Sequence, residues 1–199
     1  CTVQFSAYSR NLNLADLRTL HSLLVELHSG MLTLAALCIL TIIIQRLYQK
    51  TRKIKPEQQD THTSMTMATL LDKTAHYAEP ASYLAGLGGF IGLVVSSIVG
   101  SYAWPAEVLL RSPLTQNKIM MAILSMEFWA IFLAARAFYG KGLWTNYRLA
   151  ILGACAGFAG FFFMVLTGSL GAHMIAVHVL GWGSVLDPFY SLFGVNPNS

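Results

Sequence analysis

The chain has 199 residues, 55% of them hydrophobic and only 11% charged, with a mean hydropathy of +0.55. Soluble domains carry about 25% charged residues, so a water-soluble fold of this size would leave too much apolar side chain uncovered, and the composition calls for lipid as solvent. The formal net charge of +4 does not signal nucleic acid, because the basic residues stand at the ends of apolar runs rather than along one stripe.

The chain begins at Cys1. Cleavage of an exported precursor before a cysteine gives such an end, with lipid attached to the thiol; trimming gives it equally. The first apolar run covers roughly Leu27 to Tyr48, with TLAALCILTIII at its centre and no charge before Arg46. The second runs from about Ala81 to Tyr102, opened by Pro80 and closed before Trp104 and Pro105. The third extends from about Ile119 to Tyr139, and the fourth from about Leu149 to residue 175. Each is near the ~20 residues that cross a hydrocarbon core. Tyr48, Tyr83, Tyr102, Trp104, Tyr139, Trp144 and Tyr147 fall at the run ends, as an interfacial aromatic belt does.

Between the first two runs, residues 49–80 are rich in Lys, Gln, Thr and Asp and read as a solvated linker with a short helix near Met65 to Leu71. The tail, 181–199, is too short and polar for a fifth span; its Leu186, Phe189, Tyr190 and Phe193 suit the outer interface or a partner subunit. Three cysteines make no disulfide framework, and Cys38 and Cys155 lie inside apolar runs. The predicted fold is one all-α domain over residues 1–199, an integral membrane four-helix bundle. Nine of the thirteen Lys and Arg side chains share the side that holds the 49–80 linker, which makes that side cytoplasmic and both termini extracytoplasmic, in the plasma membrane.

Six histidines punctuate the chain. His62 and His76 belong to the cytoplasmic side, whereas His21, His28, His173 and His178 belong to the outer ends of the first and fourth spans. Counted outward from Lys50, His28 stands about 33 Å and His21 about 43 Å up the first helix; from Arg148, His173 stands about 37 Å and His178 about 45 Å up the fourth. His28 is thus expected level with His173, and His21 with His178, so that two antiparallel helices present paired imidazoles able to clamp a porphyrin. His21 and His28 lie about 20° apart in phase, but His173 and His178 about 140° apart, so these two serve different neighbours. Gly30 near His28 and Gly171 near His173 let a flat cofactor, or another helix, approach backbone.

With LHSLLVELHSG opening the first helix and TGSLGAHMIAVH closing the last, the terminal spans resemble the small four-helix membrane b-type cytochromes. The resemblance implies haem b, one group and at most two, with His28 and His173 as iron ligands and His21 and His178 next. It implies an electron-transfer subunit within a larger respiratory or oxidoreductase complex, exchanging electrons with an extracytoplasmic redox partner or quinol. Only His76 stands near the inner face, without a paired histidine, so electrons are not expected to cross the bilayer within this chain.

Glu127, deep in the third span, is a functional candidate because a carboxylate at that depth must be neutral, paired or in a wet cavity. Its expected roles are proton uptake in quinol oxidation or a hydrogen bond to Ser97 or Tyr102. Arg136 is expected to snorkel to the headgroups. His76, Tyr77 and Glu79 form a polar group that serves as a quinone or proton-entry site, or simply anchors the helix. Met31 and Met174, close in sequence to His28 and His173, with Met120, Met121 and Met126, favour a second reading, a copper-handling protein with an outer His/Met site. A third is a cofactor-free structural subunit. No hydrolase or nucleotide-binding motif occurs.

Overall fold

Inside hydrocarbon every backbone N–H and C=O must be satisfied within its own segment, so apolar runs of this length fold as helices. The computed structural model bears this out with four long helices and one short one: α1 (Leu17–Ile54), α2 (Thr63–Ala103), α3 (Pro113–Tyr139), α4 (Gly142–Thr145) and α5 (Tyr147–Ile175). It describes residues 16–54, 63–103 and 113–175, and the side chains of 16–51, 68–103 and 113–171. Cys1, His62, Trp104, His178 and the 181–199 tail lie outside the described residues, as do the side chains of His173 and Met174. Among the described residues there is no strand, and α1, α2, α3 and α5 are each long and apolar enough to cross a membrane. The described residues form an all-helical bundle of multi-pass character.

The helices outrun the apolar segments that announced them. α1 starts ten residues before Leu27, and most of the 49–80 segment is helical rather than loop, up to Ile54 and again from Thr63. Its Lys, Gln, Leu, Met and Ala are strong helix formers, and the α1–α2 pairing carries on past the apolar zone, where Gln45 Nε2 donates to Asp72 Oδ1 at 2.9 Å. Pro80 does not open the second span but sits inside α2, where it has no N–H to give the His76 carbonyl.

Local chemistry sets the remaining ends. Pro113 begins α3, where a missing N–H costs nothing. α3 stops at Gly140, whose φ of +52° suits glycine and whose N–H bonds back to the Arg136 carbonyl at 3.0 Å. Asn146 caps α5: its Oδ1 accepts from the Arg148 N–H at 3.0 Å and the Leu149 N–H at 3.5 Å.

Neighbouring helices pack antiparallel, closing a ring in chain order. On α2, Gly88, Gly92, Ser96 and Gly100 recur every fourth residue and form one small-residue stripe, against which α1 lays Met31, His28 and His21. Between α3 and α5, Trp129 fills the space over Gly160, Ser125 Oγ donates to the Gly160 carbonyl at 2.8 Å, and Phe128 stacks on Phe163. Gly86 brings α2 to Trp129, Phe132 and Leu133 of α3, and Gly157 brings α5 to Ile39 of α1. Leu32, Ile39, Trp129 and Phe132 are fully enclosed, while Leu34, Leu37, Leu84 and Leu152 face outward to lipid.

Candidate functional site

His21 and His28 rise from one face of α1, as their seven-residue spacing dictates, but that face turns to α2 and not to α5. His28 is 4% exposed, with its Cβ lodged against Gly92. Its Nδ1 lies 2.7 Å from the Leu24 carbonyl one turn back. His21 lays its ring over Gly100, and its Nδ1 lies 2.8 Å from the Ser96 carbonyl of α2. A carbonyl only accepts, so in both rings Nδ1 carries a proton.

Counting helical rise from a contact between α1 and α5 shifts the expected levels. Taking the Ile39–Gly157 contact as a common level, His21 stands about 27 Å above it on α1, His28 about 16 Å, and His173 about 24 Å above it on α5. His173 is therefore nearly level with His21, and His28 sits deeper than either. Lys118 joins this end from α3: its Nζ is 3.1 Å from where a Cβ on Gly171 would stand. Gly171 thus makes room for a lysine. Gly30, expected beside a cofactor, is exposed on the outer surface of α1 with nothing within 4 Å of a Cβ position; two residues from His28 is half a turn, which is the opposite face.

At the other end, a cavity of about 480 Å³ is lined by Gln45, Arg46, Asp72, Lys73, His76, Glu79 and Trp144, among others. Arg136 does not snorkel. Its side chain is 10% exposed and its Nη2 meets Glu79 Oε1 at 2.9 Å, tying α3 to α2. Trp144 is buried, and its indole N–H has no acceptor among the described residues. The His76–Tyr77–Glu79 group is part of this cavity, but sequence reasoning missed its partners from α1 and α4. The Gln45–Asp72 pair alone carried a signal, being polar residues adjoining apolar runs.

Glu127 makes neither expected bond. Ser97 donates to the Leu93 carbonyl of its own helix, Tyr102 is exposed, and Glu127 itself lies on the outward face of α3. Among the described residues, no group of three or more His, Cys, Asp or Glu side chains gathers as a metal would require. Comparison with protein-family models, curated proteins and solved structures finds no match for this chain.

Proposed function

We propose that this chain is a membrane subunit that binds b-type haem at its His21 end and passes single electrons there, as part of a larger respiratory or oxidoreductase complex. The observation that carries the reading is the pinning of both α1 imidazoles through Nδ1 to backbone carbonyls. Such a bond fixes ring and tautomer and presents Nε2, the arrangement that iron-ligating histidines use. His21 and His173, similar in height, are the favoured ligands, with His28 as an inner imidazole and His178 as the further candidate. When bound, the haem supplies a one-electron couple. The protein would hold it through these imidazoles, and Lys118, whose Nζ lies beside Gly171, would offer a donor to the carboxylates that haem carries. On this reading both termini and the His21 end are extracytoplasmic in the plasma membrane, and electrons are exchanged with an extracytoplasmic partner or with quinol.

The absorption spectrum of the purified chain tests this. We expect a Soret band and, on reduction, an α-band of b type, both lost in His21→Ala. Bound copper without haem would replace the proposal with the copper-handling reading. A colourless, metal-free protein would leave a structural subunit.

A further inference from the structure

The cavity at the Glu79–Arg136 end of the bundle lies between α1, α2 and α4, and the hydrogen-bonding groups around it do not balance. Its volume of about 480 Å³ is within the roughly 300–1,000 Å³ of small-molecule sites. The bond from Gln45 of α1 to Asp72 of α2, 2.9 Å long, sets the register of that seam. Arg46 and Lys73, each the next residue along, both line the cavity. Neither has a hydrogen bond or ion pair with a described residue.

The carboxylates in the wall are already engaged, Asp72 by Gln45 and Glu79 by Arg136. What is left over is donors. Trp144, only 2% exposed, lines the cavity from α4, and its indole N–H has no acceptor among the described residues. Arg136 Nε, behind Glu79, has none either. Buried N–H groups ordinarily find an acceptor. Charge leans the same way, since Arg46, Lys73 and Arg136 outnumber Asp72 and Glu79.

We propose that this cavity binds a phosphate group, with Arg46 and Lys73 paired to its oxygens and the Trp144 indole as the neutral donor on the wall. An ionised phosphate is rich in acceptors, carries negative charge and is the common partner of arginine and lysine together. Its depth points to a phospholipid headgroup as the source. Lys50 Nζ stands 4.9 Å from the centre of the Tyr147 ring at this end, and lysines with Tyr and Trp at span ends mark the headgroup level. Basic pockets between spans hold anionic headgroups in this way.

The test uses the purified full chain in detergent. Native mass spectrometry follows retention of phosphatidylglycerol through a titration, and equilibrium dialysis follows uptake of inorganic phosphate. Saturable retention of the lipid assigns the phosphate to a headgroup; saturable uptake of inorganic phosphate alone assigns it to a soluble source, and either supports the site. Arg46→Gln/Lys73→Gln should weaken that binding about tenfold or more, the worth of one hydrogen bond to a charged group. Trp144→Phe should weaken it less. Lys141→Gln/Arg148→Gln removes the same charge from the same end, outside the cavity lining, and should bind as the wild type does. All four of these cations are exposed, so helix content by circular dichroism should not change. Absence of saturable binding in both arms would overturn the proposal, as would equal losses from the two charge-removing pairs.

Discussion

His21 Nδ1–H donates to the Ser96 carbonyl, 2.8 Å away on the neighbouring helix, at an oxygen that the Gly100 N–H is also placed to use within α2. One carbonyl has two lone pairs and serves both donors, so the imidazole is tied to α2 without unravelling it. Replacing His21 by Ala should lower stability by about 1 kcal/mol through the lost interhelical bond. Thermal unfolding in detergent measures it. A loss of haem in His21→Ala with no change in stability would mean that the ring does not hold the helices together.

The glycines divide into two groups that a substitution series should separate. A Cβ on Gly89 would stand 2.6 Å from Leu32 and 3.1 Å from its backbone nitrogen, and one on Gly92 2.8 Å from the His28 Cβ. Gly89→Ala and Gly92→Ala should each cost about 1–3 kcal/mol by overpacking. Gly30 and Gly168 have nothing within 4 Å of a Cβ position, and alanine there should be neutral or stabilising by up to about 1 kcal/mol. The four melting temperatures check the division.

Removing one partner of the Glu79–Arg136 pair should do more harm than removing both. Glu79→Ala leaves Arg136, whose Nε already lacks a partner among the described residues, with a half-buried and uncompensated charge. A loss of about 3–5 kcal/mol is the scale for a fully buried pair, and partial exposure of 10% and 22% places this one below it. The double variant Glu79→Gln/Arg136→Met should recover most of the loss. A double-mutant cycle in denaturant supplies the coupling.

Ser125 is fully buried and donates to the Gly160 carbonyl at 2.8 Å. Ser125→Ala should destabilise by about 0.6 kcal/mol, the average for interhelical bonds in membranes, and by no more than about 1.7. Unfolding in mixed micelles is the measurement. A larger loss would point to repacking of Trp129.

The four spans were legible because lipid thickness imposes a length, and twenty apolar residues in a row have few other uses. Helix ends were not, since hydropathy marks where the lipid stops and helix propensity continues through Lys, Gln and Met beyond it. The face carrying His21 and His28 was legible from a spacing of seven, but its neighbour was not. Phase tells which side of a helix a residue occupies, never which helix lies there. The signal that would have told lay on α2, where Gly88, Gly92, Ser96 and Gly100 recur every four residues and mark the closest approach. Arg136 was misjudged for a related reason: nothing local to it shows that Glu79 comes from another span. Glu127 was recognised as costly, but the direction in which it points depends on how α3 is turned in the bundle.

Trp129 touches the backbone of two other helices: its ring lies 3.5 Å from a Cβ position on Gly86 of α2 and 2.7 Å from one on Gly160 of α5. The α1–α2 and α3–α5 seams are each local in sequence, so two helical hairpins can insert and zip independently before they meet. This indole is then where the halves latch, and shrinking it should leave each hairpin formed while loosening their docking. Assembly of the bundle would become a two-step process, with the second step left to the Ile39–Gly157 and Glu79–Arg136 contacts.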